Sequence, residues 1–165
     1  GKVPAAEFVN HITEKIQSYP GVIGVHDLMI HDYGPGNLFA TVHVEFPAET
    51  PVIEAHEVMD EIERDFQEQE HMILTIHYDP IVEESEEVAE IRTFVSKAAK
   101  EFDERLSIHE VRLVPGKESS NVIFDCVKPA GFKISDSEIT SYLQKRVTEW
   151  NPRYRCVIKV EQSYV

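Results

Sequence analysis

Cysteine is scarce in this sequence. The 165 residues hold two, Cys126 and Cys156, both in the second half and with no CxxC spacing. A zinc ribbon and a thioredoxin-type redox pair are therefore not supported. The two thiols read as reduced, buried residues of a cytosolic protein. Long apolar runs are also missing: nothing approaches the roughly eighteen consecutive apolar residues of a membrane span. The start of the chain lacks the basic segment, apolar stretch and small-residue cleavage site of a signal peptide. Basic residues are few, 16 against 30 acidic ones, for a net charge of −14. Such a surface repels nucleic-acid phosphates and anionic lipid, so neither is expected as a partner, while cations are attracted. HExxH, a nucleophile elbow and a P-loop are all absent. Metal-dependent hydrolysis would need an open coordination position, a base and a substrate pocket. Glu45 near His43 is the one candidate base, and it reads as a solvated strand carboxylate, so the chain is not expected to be an enzyme.

Apolar residues make up 42% of the chain, enough for the core of one medium domain or two small ones. Phe8, Ile12 and Ile16 recur at helical spacing from Pro4 to Tyr19, and Pro20-Gly21 stops that helix. A strand over 22–33 and a turn at Gly34-Pro35-Gly36-Asn37 follow. In the strand 38–46, Leu38, Ala40, Val42, Val44 and Phe46 alternate with Phe39, Thr41, His43 and Glu45. Thr50 is placed to cap a helix that starts at Pro51 and runs to about residue 69. The strand 72–79 closes the unit, and Pro80 is expected to end it.

The same αββαβ order then begins again. After the acidic stretch 82–87, a helix is expected to about Leu106, strands over 108–114 and 121–127, a helix capped by Ser135, and a last strand from Arg153 to Tyr164. His109-Glu110-Val111 falls where His26-Asp27-Leu28 fell, and Pro129 where Pro47 fell, an offset of about 82 residues. The fold class is therefore α+β, with two tandem αββαβ repeats over residues 1–82 and 83–165.

Six of the eight histidines lie between residues 26 and 77. His77 and Asp79 share one face of a strand, and His43 sits on the polar face of its neighbour. His56 lies at the edge of the apolar stripe of the second helix. His26 is in tension with this picture: simple alternation puts it on the side of Leu28 and Ile30, which look like core, unless a bend after Gly24 re-aims it. Neutral imidazole and carboxylate suit Zn²⁺ or a neighbouring transition ion. Each of these residues also has an ordinary reading, as a strand-entry, helix-edge or solvated side chain, and the residues alone leave both open. His31 and His71 read as solvated, and His11 as a satisfied surface histidine of the first helix.

The segments Pro20 to Leu28, Thr41-Val42-His43-Val44, Glu54-Ala55-His56 and Thr75-Ile76-His77-Tyr78-Asp79-Pro80 together resemble the cytosolic domain of the cation diffusion facilitators, also called the cation efflux family. The resemblance spans roughly residues 5–81. It implies a ferredoxin-like, metallochaperone-like fold, a homodimer, and metal ligands at His26, His43, His56, His77 and Asp79 around two neighbouring ions. It implies Zn²⁺ as the ion, with Mn²⁺, Fe²⁺, Co²⁺ and Cd²⁺ as alternatives. It further implies a regulatory region on the cytoplasmic face of the cell membrane, partnered by its own transmembrane domain, which carries out proton antiport. A free-standing metal-binding protein or metallochaperone is the alternative.

Residues 83–165 depart from that pattern. His109 remains opposite His26, but Asp125 stands for His43, Lys159 for His77, Glu161 for Asp79 and, approximately, Glu138 for His56. A lysine ammonium opposes a cation, so the second repeat is expected to be structural. A distinct site through His109, Asp125 and Glu161 is the competing expectation.

Overall fold

The computed structural model describes residues 5–163. The elements are α1 (Ala6–Gln17), β1 (Gly24–Asp32), β2 (Leu38–Pro47), α2 (Val52–Gln69), β3 (Met72–Ile81), α3 (Glu86–Phe102), β4 (Ser107–Val114), β5 (Ser120–Lys128), α4 (Asp136–Trp150) and β6 (Tyr154–Gln162). The αββαβ order occurs twice, as the alternation and turn signals predict, and the chain divides into two compact units at Pro80. Pro4 and Tyr164, expected as helix start and strand end, lie outside the described residues.

The first unit has a three-stranded sheet in the order β1-β2-β3. Ile12 and Ile16 of α1 and Ala55, Ile62 and Phe66 of α2 bury their apolar stripes against Ala40, Val42, Val44, Phe46, Met72 and Leu74 of the sheet. Burial of such side chains contributes roughly 1.5–3 kcal/mol each before chain entropy is set against it. One face of the sheet is thus covered. Met29, Phe39 and Ile73 point to the other and stay exposed. Thr50 does not cap α2. Pro51 has an extended backbone (ψ 134°) and occupies the N-cap position itself, with no side-chain hydrogen bond. Nor does Pro80 end β3, which continues to Ile81. Because β3 is an edge strand, a residue without an N–H costs the ladder little there.

The decisive local feature is a bulge in β1. His26 pairs with His43, but the next pair in register is Met29 with Thr41, so Asp27 and Leu28 together oppose one residue of β2. Asp27 has a left-handed backbone, φ 50°. One extra residue resets the two-residue alternation. His26 therefore shares the open face with His43, while Leu28 and Ile30 still pack on the core.

The second unit repeats this device. β4 and β5 are antiparallel, with His109 opposite Asp125 and then Arg112 opposite Ile123. Glu110 takes the left-handed conformation, φ 58°. β6 lies parallel to β5, and Val82 pairs with Leu113 at the sheet edge. Val88, Ile91, Val95, Ile139, Leu143 and Val147 of the helices pack on Val122, Phe124 and Cys126. Both helices are capped by serine, Ser135 as expected and Ser85 in addition. Ser85 Oγ accepts from the Val88 N–H at 3.0 Å, and Ser135 Oγ from the Glu138 N–H at 3.1 Å. α3 stops at Phe102 rather than Leu106, because Asp103 is extended (φ −161°) and its carboxylate accepts from the backbone and guanidinium of Arg105.

A β-branched residue fits a left-handed position poorly. Asp27→Val is expected to lower the stability of the first unit by about 1–2 kcal/mol, and Asp27→Gly to leave it nearly unchanged, as read from urea denaturation midpoints.

Candidate metal centre

Three strands bring three donor side chains to one end of the open face of the first sheet. The bulge aims His26, β2 supplies its cross-strand partner His43, and β3 supplies Asp79, whose carboxylate is largely buried. Asp79 Oδ2 lies 3.0 Å from His26 Nε2 and 3.2 Å from His43 Nδ1. One ligand atom from each of the three residues falls within 4.8 Å of the others. Around a tetrahedral zinc ion with bonds of about 2.0–2.1 Å, neighbouring donors stand roughly 3.3 Å apart. Asp79 thus stands near the required separation from each imidazole, and the donor chemistry, two imidazoles and a carboxylate, is that of a borderline divalent cation.

His77 lies on the same face of β3 as Asp79, and its ring stacks on His43 with centroids 4.8 Å apart. His26 stacks on His43 at the same distance. The three imidazoles form a column with His43 in the middle. His56 is placed differently. It stands on α2 with its side chain 66% exposed, and its Nε2 lies 3.2 Å from Asp60 Oδ2 one turn along the helix. The structure thus gathers His26, His43 and Asp79, sets His77 beside them and keeps His56 on the helix surface. Of the histidines outside this set, His11 is a surface residue 2.8 Å from Glu70.

Glu45 is not the solvated carboxylate that its strand position suggests. It is 1% exposed, and its Oε2 lies 2.8 Å from His26 Nδ1. The register puts it directly opposite Gly24, where the lack of a side chain leaves room for the carboxylate. The signal was present in the sequence: a carboxylate two residues after His43 on one face, with a glycine near His26.

Between Glu45 and Asp79, His26 is strongly perturbed. Desolvation is the largest single influence and lowers its pKa. The hydrogen bonds to Asp79 and Glu45, with their charges, outweigh it and raise the value to about 9. At neutral pH the metal-free ring is an imidazolium donating from both nitrogens.

The corresponding end of the second unit carries its own cations. Lys159 Nζ lies 3.0 Å from Glu161, and the Arg112 guanidinium 4.0 Å from Asp125. Burial pushes the Asp125 carboxyl up, Glu161 adds to that, and Arg112 and Lys159 oppose it. His109 Nε2 is 2.9 Å from Ser107 Oγ. Cys126 and Cys156 are both free thiols.

The fold and this cluster define a class, a ferredoxin-like αββαβ unit with a candidate histidine–aspartate cation site at one end of its sheet. Residues 4–81 match the family described as cation efflux protein, cytoplasmic domain. The chain belongs to that family through its first unit. A 58-residue stretch is 41% identical to the cation-efflux pump FieF of Yersinia enterocolitica, covering 35% of this chain and 18% of the pump. A 53-residue stretch is 38% identical to FieF of Escherichia coli, covering 32% and 17%. The matched stretches therefore span less than a fifth of those pumps. A solved structure of CzrB in its zinc form is 30% identical, covering 48% of this chain and 92% of that one, with a TM-score of 0.43. Among the described residues, no helix is long and apolar enough to cross a membrane.

The raised pKa of His26 sets a pH dependence with a definite sign. Its unfolded value is near 6.5 and its folded value about 9, so the folded state binds the extra proton between them. The stability this gives the metal-free chain is fully present below about pH 6.5 and is lost as pH rises through about 9. With a chelator present, the denaturant midpoint is expected to fall across that window in the wild type and much less in His26→Gln.

Proposed function

We propose that the chain is the cytoplasmic regulatory, metal-binding and dimerisation region of a divalent-cation efflux transporter, whose proton antiport is carried out by a transmembrane domain. The observation that carries this reading is the convergence of His26, His43 and Asp79 at one end of the first sheet, in a segment that matches the cation efflux cytoplasmic domain. His26, His43, His77 and Asp79 are the ligands at the sheet, and His56 adds a ligand from α2 to a neighbouring ion. Zn²⁺ is the ion we favour, with Mn²⁺, Fe²⁺, Co²⁺ and Cd²⁺ as related cargo. The zinc form of CzrB is in line with this choice.

The regulatory step is electrostatic. A chain of net charge −14 repels a second copy of itself, and divalent ions reduce that repulsion while linking side chains from different strands. An ion biases the conformational equilibrium only by its differential affinity for the closed state. Micromolar binding corresponds to about 8 kcal/mol, sufficient to move a gap of a few kcal/mol. Binding requires His26 to release the proton it holds between Glu45 and Asp79. An unperturbed histidine would lose its metal between about pH 7 and 5.5, whereas with His26 held protonated in this way affinity continues to rise above pH 7, toward about 9.

The second unit, residues 83–165 in this reading, binds no transition metal, because Lys159 and Arg112 place positive charge beside Glu161 and Asp125, where a cation would have to sit.

Zinc at a hundredfold excess over its dissociation constant should stabilise the first unit by about 2.7 kcal/mol when the unfolded chain does not bind it. Asp79→Ala should abolish most of this gain in a thermal unfolding experiment. A wild-type melting curve indifferent to zinc would count against the site. The combined variant His26→Ala, His43→Ala, His56→Ala, His77→Ala, Asp79→Ala should bind no zinc after dialysis, and zinc retained by it would count against a second unit that binds none.

A further inference from the structure

An imidazole that holds an ion with one nitrogen must have the other held, or its ring and tautomer are free to turn away. The site read above as a metal centre, on which this inference rests, contains such a holder. His26 Nε2 faces Asp79 at 3.0 Å, inside the donor cluster, while Nδ1 faces away toward Glu45 Oε2 at 2.8 Å. Glu45 is neither exposed nor on a loop. It lies in the central strand β2, 1% exposed, where a carboxylate is costly unless it receives hydrogen bonds.

The strand opposite is shaped for it. A Cβ at Gly24 would stand 3.1 Å from Oε1, 3.2 Å from Cδ and 3.3 Å from Oε2 of Glu45. A Cβ at position 24 would require the carboxylate to give by a few tenths of an ångström beside the imidazole.

The second unit supplies an internal control. It keeps the bulge and a histidine, His109, at the same register. Ser107 and Val127 pair there as Gly24 and Glu45 pair in the first unit. With no carboxylate beneath it, the His109 ring turns its Nε2 to Ser107 Oγ, 2.9 Å away. The bulge alone therefore does not set the orientation of the imidazole.

The geometry points to Glu45 as the positioning residue of the centre. It holds His26 as the Nδ1–H tautomer and so presents Nε2 to a divalent ion, and Gly24 provides the space it needs. Glu45 and Asp79 thus grip the imidazole from its two nitrogens, one from outside the donor cluster and one from within it.

The test uses the full chain with zinc as the probe, affinity measured by competition with a chromophoric chelator and tautomers by long-range ¹H–¹⁵N correlation of the imidazoles. In the zinc-loaded wild type, His26 should carry its proton on Nδ1 and the metal on Nε2. Glu45→Ala should weaken zinc binding about 10- to 100-fold and mix the two tautomers of His26. Glu45→Gln keeps an acceptor of the same shape, so it should retain the Nδ1–H tautomer and lose less than about tenfold. Gly24→Ala should weaken binding in the same direction while leaving Glu45 in the sequence. Zinc held through Nδ1 of His26, or wild-type affinity in Glu45→Ala, overturns the assignment while leaving the metal centre intact. A wild-type chain that takes up no zinc overturns the centre itself and is recognised before any substitution is made.

Discussion

The first unit depends on a balance among three buried ionisable groups. Glu45 and Asp79 are two carboxylates withdrawn from water, and His26 lies between them, in contact with both. Buried charges of one sign are tolerated only when a counter-charge and hydrogen bonds offset the loss of hydration. In the metal-free chain a proton on His26 is that counter-charge. In the proposed loaded state a divalent ion takes its place. Under that proposal, competition between proton and ion at one imidazole links pH, stability and metal affinity.

The backbone makes this contact available through one inserted residue. Without the bulge at Asp27, His26 would point into the core with Leu28 and Ile30, and the cluster would lose one of its two imidazoles. With it, the side chains before and after the bulge serve opposite faces of the sheet. The helices on the covered face fix the strands, so the donors are held by regular elements rather than by loops, which favours precise ligand spacing.

Much of the architecture is legible in the sequence because apolar periods carry it. The alternation from Leu38 to Phe46, the stripes of the helices and the repeated αββαβ order all correspond to observed elements. The discrepancies lie where periodicity says nothing. A bulge is invisible to a two-residue alternation, so the placement of His26 needed the left-handed Asp27. A carboxylate on an open strand face is usually hydrated, and only the register opposite Gly24 reveals the space that buries Glu45. The ends of α2, α3 and β3 shifted because Pro51, Asp103 and Pro80 act through local backbone geometry and through the position of a strand at the sheet edge. His56 stands on a helix rather than on the sheet, and its Nε2 lies 3.2 Å from Asp60.

The left-handed residue recurs in the second unit at Glu110, with the same shift of register, although the side chains around it have changed in character. A bulge is harder to acquire than a side chain, since it needs an inserted residue and a compensating change in strand pairing. A substitution at Asp125, Val127, Lys159 or Glu161 needs neither. The mutational distance between an ion-paired unit and a cation-accepting one is therefore short in both directions. In a frame repeated in this way, either half can change the side chains at the end of its sheet without changing its strand pairing.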